Sequence, residues 1–250
     1  MTILITGATS GFGKAMAYIY AQNQHNLIIT GRREHLLLQL AKELQQEYNI
    51  NVLPLLFDVQ DKKAVFAAIN SIPNEFKTID VLINNAGLAL GRENADEALL
   101  EDWETMIDTN VKGLMYVTKA VLPLMIANKQ GHIINMGSVA AKQMYQFGNG
   151  YCASKAAIDA FSETLRIDLL PHNIKVTAIH PGAAETEFAM VRFKGNIEKA
   201  SATYNGFTPL AAADVANIVY YCSTLPKHVC INDLVVTCTA QANAVYFHKD

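Results

Sequence analysis

Tyr151 and Lys155 set a phenol and an ammonium four residues apart, a spacing that on a helix brings both to one face about a turn from each other. Alone the pair says little, because Tyr-x-x-x-Lys occurs in many helices. It gains weight from Ser138, thirteen residues upstream, which ends the run Ile133-Ile134-Asn135-Met136-Gly137. A second constellation stands near the N-terminus, where Thr6-Gly7-Ala8-Thr9-Ser10-Gly11-Phe12-Gly13 follows Ile3-Leu4-Ile5 directly and opens a helical stretch. A pyrophosphate can sit on the free N–H groups of such a helix start, and small residues let backbone approach phosphate. The spacing is Gly-x-x-x-Gly-x-Gly rather than Gly-x-Gly-x-x-Gly, so a structural turn is the competing reading; the position between strand and helix favours a nucleotide.

The second apolar run ends in Thr30-Gly31-Arg32-Arg33, where a carboxylate would accept hydrogen bonds from an NAD ribose. Guanidinium groups suit a 2′-phosphate instead, with fixed charge and paired donors, which favours NADP. The alternative is two solvated arginines at a helix start, with Glu34 taking a ribose hydroxyl. Asp58-Val59 and Asn85-Ala86-Gly87 follow the third and fourth strand-like runs, at the crevice where open α/β sheets bind ligands.

These groups need a scaffold, and the chain supplies alternating elements. Apolar β-rich runs at Ile3–Ile5, Leu27–Thr30, Val52–Phe57, Val81–Asn84, His132–Met136, Lys175–Ile179 and Leu234–Cys238 are separated by stretches of helical period. Those stretches are Gly13–Asn23, Glu34–Tyr48, Lys62–Ile69, Leu99–Asn128, Tyr151–Leu170 and Ala213–Ser223, with Pro123 expected to kink or break the fourth. The alternation predicts an α/β fold: a Rossmann-type, doubly wound parallel sheet of about seven strands, helices on both faces, in a single domain over residues 1–250. Residues 183–208 have no clear period and predict a long irregular loop serving as a substrate lid.

Composition narrows the partners. With 51% apolar residues, 17% charged and a net charge of -3, the chain can bury a large core and offers no basic face for nucleic acid. No apolar run approaches the ~20 residues of a membrane span, and Met1–Gly7 reads as a buried strand rather than a secretion signal, so a cytoplasmic location is expected. Cys152, Cys222, Cys230 and Cys238 include no C-x-x-C pair and read as packed thiols. The seven histidines show neither paired spacing nor acidic partners, so no metal is expected and His132 and His180 read as structural.

In this order, the glycine loop, Asn84-Asn85-Ala86-Gly87, Ser138 and Tyr151-Cys152-Ala153-Ser154-Lys155 make the chain resemble the short-chain dehydrogenase/reductase family over essentially its whole length. The resemblance implies a catalytic set of Asn110, Ser138, Tyr151 and Lys155. Tyr151 would be general acid and base, its phenol pKa lowered by Lys155 and the oxidised nicotinamide. Lys155 would also hold the nicotinamide ribose, Ser138 the substrate oxygen, and Asn110 a water relaying protons to Lys155. Pro181, Gly182 and Thr186 would face the carboxamide.

Glu101–Asn110, Glu185-Thr186-Glu187-Phe188, Val191-Arg192-Phe193-Lys194-Gly195 and Ser223–Asn232 further resemble the NADP-dependent 3-hydroxy acid dehydrogenases. That subgroup acts on L-allo-threonine, serine and 3-hydroxy acids at C3, reduces malonic semialdehyde, and is typically a homotetramer. Arg192, and secondarily Lys194, are then candidates for the substrate carboxylate, or simply solvate the lid. Three departures bear on the substrate: Ala183-Ala184 in place of bulkier residues, His180 where an acidic residue or alanine is commoner, and the individual loop from Ala140 to Gly150. A broad carbonyl, steroid or acyl reductase is the alternative activity, and a non-catalytic nucleotide sensor a third. The tail from Ala240 to Asp250 could serve oligomerisation or fold back on its own subunit.

Overall fold

The computed structural model describes residues 1–250. Seven strands form one parallel sheet: β1 (Thr2–Ile5), β2 (Asn26–Gly31), β3 (Val52–Leu56), β4 (Val81–Asn84), β5 (Gly131–Met136), β6 (Ile174–Pro181) and, after two short strands, β9 (Asp233–Val236). Their spatial order is β3-β2-β1-β4-β5-β6-β9, reversing direction between β1 and β4. Side chains alternate across the sheet. Ile3, Ile5, Leu27 and Ile29 enter one core with the helices α1 (Gly11–Gln22), α2 (Glu34–Tyr48) and α10 (Ala212–Thr224). Leu4, Ile28 and Leu82 enter the other, against α3 (Lys62–Asn70), α5 (Leu114–Ala127) and α7 (Asn149–Asp168). Both faces are covered, which explains the continuous apolar runs. Truncating one of these fully buried side chains to alanine costs about 2–5 kcal/mol.

Local chemistry sets several boundaries. α2 buries Leu37, Leu40, Ala41 and Leu44, the helical spacing of its sequence, and ends at Asn49 in the left-handed region with φ +52°. Asp61 caps α3 by accepting from the Ala64 N–H at 3.0 Å. Two expectations need correction. Pro123 does not break its helix, which runs unbroken from Leu114 to Ala127. The irregularity lies earlier, where α4 (Leu100–Ile107) joins α5 through a π-helical segment, Asp108–Gly113.

The second correction concerns residues 183–208. They hold β7 (Ala184–Glu185), α8 (Phe188–Arg192) and α9 (Ile197–Ala202), and β7 pairs in parallel with β8 (Leu210–Ala211). Elements this short bury few apolar positions, so periodicity could not reveal them. The tail folds back on its own chain: the Asp250 N–H donates to Gly206 O at 2.9 Å, and the rings of Phe207 and Phe247 lie 5.1 Å apart. No helix is long and apolar enough to cross a membrane.

Candidate active site

The turn after β1 is built for close backbone approach. Gly7 and Gly11 have φ of +66° and +51°, open to glycine and strained for other residues. Gly13 packs on the carbonyl of Gly7, where a Cβ would overlap it. The Thr6 hydroxyl accepts from the N–H groups of Asn85 and Ala86, both at 2.9 Å, and the Asn85 amide donates to Thr6 O at 2.9 Å, so the turns after β1 and β4 are fastened together. Ser10 makes no side-chain cap at the start of α1, leaving that helix's first N–H groups for a ligand. They open on a cleft of about 890 Å³ along the carboxyl ends of the strands, near the upper end of the ~300–1,000 Å³ usual for ligand sites.

Arg32 and Arg33 stand at one end of this cleft. Arg32 donates to Asp58 at 3.2 Å; Arg33 contacts the Thr9 hydroxyl at 3.2 Å and Glu187, at the entry to α8, at 3.0 Å. Their side chains are 61% and 41% exposed, so these pairs hold each partner by about 0–1 kcal/mol and yield readily to a phosphate dianion. Charge, uncapped helix N–H groups and glycine turns together fit a phosphorylated dinucleotide.

At the other end, Ser138, Tyr151 and Lys155 line the cleft together. Ser138 leaves β5 and caps the short helix α6 (Val139–Lys142), accepting from the Ala140 N–H at 3.1 Å. Tyr151 and Lys155 share one face of α7, with the Lys155 ammonium 5.9 Å from the phenol ring's centre and donating to Met136 O at 2.8 Å. Burial lowers the Lys155 pKa to about 8. The protein's own groups do not produce the expected lowering at Tyr151: burial raises the phenol, Tyr145 adds to this, and Ser138 and Arg192 pull the other way.

Asn110 sits in the π-helical segment, behind the cleft wall. Its amide donates to Leu88 O at 2.8 Å and to Ser154 Oγ at 2.9 Å, and accepts from the Leu88 N–H at 2.8 Å. Ser154 in turn donates to Tyr151 O at 2.8 Å, so Asn110 fastens the turn of α7 that carries the phenol. A side chain at Gly87 would come between Asn110 and Lys155: its Cβ would stand 3.2 Å from Oδ1 and 3.6 Å from Nζ.

Pro181 ends β6, and Gly182 and Thr186 continue along the cleft. Arg192, at the end of α8, lines the same cleft. Its guanidinium lies over the ring of Tyr151 and donates to the Tyr145 hydroxyl at 3.0 Å and to Gly91 O at 3.3 Å. Its Nη2 is buried without a partner. Lys194 does not join it; its ammonium is bound to Asp102 at 2.8 Å, away from the cleft. Among the residues read as cofactor-binding, Ala8 and Gly13 also lie behind the wall, where they shape the turn; Val59 and the others line the cleft.

Sequence reasoning missed Tyr145 as a cleft residue and missed the surroundings of His180. Contrary to expectation, His180 has acidic partners: Nε2 lies 3.3 Å from Asp159 Oδ1 on α7 and 3.3 Å from Asp233 Oδ1 on β9. Neither contact meets hydrogen-bond geometry. The cation among these carboxylates is the Lys142 ammonium, 2.9 Å from both Asp159 oxygens and bound also to Asp233. Only the fold joins these elements; the one sequence signal was that His180 and the Lys142 loop were individual to this chain.

Over residues 1–196 the chain matches the short chain dehydrogenase family model. It is 47% identical to the NADP-dependent 3-hydroxy acid dehydrogenase YdfG of Salmonella typhi, covering 98% of this chain and 97% of the relative. It is 48% identical to sulfoacetaldehyde reductase 2 of Chromohalobacter salexigens, over 96% and 95% of the two chains. The solved closed form of serine dehydrogenase complexed with NADP+ superposes with a TM-score of 0.93 at 46% identity, covering all of both chains. With a match of this extent added to the glycine turn and the Ser138, Tyr151 and Lys155 geometry, the chain belongs to the short-chain dehydrogenase family.

Proposed function

We propose that this chain is an NADP-dependent oxidoreductase acting at C3 of small 3-hydroxy acids such as L-allo-threonine, serine and 3-hydroxypropionate, with malonic semialdehyde as a substrate in reduction. The observation that carries the substrate class is Arg192: a half-buried guanidinium in the cleft, held over the ring of Tyr151, with Nη2 lacking a partner. A buried donor without a partner costs about 1–3 kcal/mol, and a substrate carboxylate relieves that cost. It would also place the neighbouring C3 oxygen at the phenol.

Arg32, Arg33 and Asp58 would hold the adenosine end of the cofactor, Gly7–Phe12 its pyrophosphate, and Asn85–Gly87, Pro181, Gly182 and Thr186 would face its nicotinamide. When bound, the nicotinamide supplies or accepts the hydride. Tyr151 gives its phenolic proton to the substrate oxygen in reduction and takes it back in oxidation. Ser138 holds that oxygen, and the Lys155 ammonium favours the phenolate and binds the ribose. Residues 183–208, tied by Glu187 to Arg33 and by Arg192 to Gly91, act as the lid.

A spectrophotometric panel tests the reading: L-allo-threonine, L-serine, 3-hydroxyisobutyrate, 3-hydroxypropionate, malonic semialdehyde and, for a sulfonate, sulfoacetaldehyde, each with NADP and NAD forms. Preference for uncharged ketones or steroids would replace it with the broad carbonyl reductase alternative. The reading includes a homotetramer in the cytoplasm, supported by the family resemblance; light scattering checks the assembly and fractionation the location.

A further inference from the structure

His180 is fully buried at the end of β6, and its Nδ1 stands against the backbone of Ser138, 3.3 Å from the N–H nitrogen and 3.1 Å from the carbonyl oxygen. Gly137 permits this approach, since a Cβ there would overlap the imidazole. One nitrogen cannot serve both Ser138 groups at once. Unprotonated, Nδ1 accepts from the N–H; protonated, it donates to the C=O. The far side of the ring decides between these states, for Nε2 faces Asp159 and Asp233, whose charges are partly neutralised by Lys142.

We propose that His180 is a positioning residue for Ser138, and that the Lys142–Asp159–Asp233 cluster sets which backbone group of Ser138 the imidazole engages. The inference rests on the reading that the Ser138 hydroxyl holds the substrate oxygen. The two carboxylates draw the ring's single proton to Nε2, leaving Nδ1 to accept from the Ser138 N–H. Burial and the Lys142 charge hold the imidazole below the ordinary histidine range, against Asp233 and Asp159, so this state prevails at neutral pH. On acidification a second proton enters at Nδ1, the N–H loses its acceptor, and the Ser138 peptide turns. Because Ser138 also caps α6, which carries Lys142, the hydroxyl and the charge cluster move on one short element. Misplacing a substrate-positioning group by about 1 Å can cost on the order of 10²-fold in rate.

Opposite charge changes must therefore move the acid limb of kcat in opposite directions. Lys142→Met removes a cation facing the imidazole and should shift the limb to higher pH; Asp233→Asn removes an anion and should shift it lower. Both side chains are partly exposed, at 30% and 38%, so these variants keep the test open if a hole at buried His180 unfolds the chain. His180→Asn, which leaves an amide toward Ser138 and no titration, should keep most of kcat and lose the limb. His180→Ala should lose about ten- to a hundredfold in kcat with NADPH affinity unchanged. An acid limb unmoved in both charge variants, or shifted the same way, or retained in His180→Asn, would overturn the proposal. Full turnover in Ser138→Ala would instead overturn the reading on which it rests, whatever the pH profiles show.

Discussion

The guanidinium of Arg192 lies over the aromatic face of Tyr151, 5.5 Å from the ring centre. The same carbon is 5.6 Å from the centre of the Tyr145 ring, so two phenols hold the cation, and its Nη2 is without a hydrogen-bond partner. Burial raises the Tyr151 phenol; a charge so placed offsets part of that rise and attracts an anionic substrate to the site of proton transfer.

Arg192→Ala should lower kcat/KM for 3-hydroxy acids about ten- to a hundredfold, from the loss of a charge-assisted bond of about 1.5–3 kcal/mol. Uncharged alcohols or aldehydes should decline much less, and Arg192→Lys should fall between, keeping charge without the planar fork. Parallel decline for charged and uncharged substrates would assign Arg192 to lid structure alone. Kinetics on a matched charged and uncharged pair decide it.

Replacing Arg32 and Arg33 together by alanine should raise KM for NADP while leaving that for NAD nearly unchanged. Glu187→Gln should act in the opposite sense, because it frees Arg33 from a competing carboxylate at 3.0 Å. For a surface pair of about 0.2–1 kcal/mol the gain in NADP affinity is roughly 1.5- to 5-fold. Equal loss of both cofactors in the double variant would remove the 2′-phosphate assignment; calorimetric titration gives both affinities.

Tyr151→Phe removes the phenolic proton and keeps the ring against Phe188, 5.6 Å away between centres. Turnover should drop about 10²–10⁴-fold with NADPH binding intact. A variant turning over near the wild-type rate would send the acid–base role elsewhere.

His132 gives a stability prediction independent of catalysis. It is buried, its Nε2 lies 2.7 Å from Thr177 Oγ1, and burial, with Lys175 adding, lowers its pKa to about 3. The unfolded chain takes up this proton near the ordinary value of about 6.5 while the folded one does not. Its contribution is therefore complete above about pH 6.5 and is lost progressively as pH falls toward about 3. His132→Gln should flatten the decline of unfolding free energy over that window, measured by urea titration at several pH values; an unchanged slope would place acid sensitivity in other groups.

How legible the chain was depends on the range of the forces involved. α2 and β4 could be read to the residue, because helical spacing in Leu37, Leu40, Ala41 and Leu44 and the short apolar run of Val81–Asn84 are local signals. The glycine turn, Arg32, Arg33 and Ser138 were legible because each follows a strand-like run, whereas Tyr151 and Lys155, inside α7, gained meaning only from their order after Ser138 and the resemblance it carries; the fold gathers them on one cleft. The two α8–α9 turns were too short to show a period. Asn110 was recognised only by resemblance, and its work of bridging Leu88 to Ser154 depends on a π-helical register that no spacing announced. Asp159 and Asp233 reach His180 from separate elements, a meeting that only the packed sheet creates.

The position of β9 has a consequence for synthesis. It is the last strand in sequence, yet it pairs with β6 beside His180 and begins with Asp233. A chain leaves the ribosome N-terminus first at about 5–20 residues per second. The glycine turn, both arginines and the Tyr151 helix thus emerge while β6 still has a bare outer edge. A nascent chain holds the groups of the nucleotide end of the cleft before the strand that closes the serine end exists, and the unpaired edge of β6 is the surface a chaperone would need to shield until then.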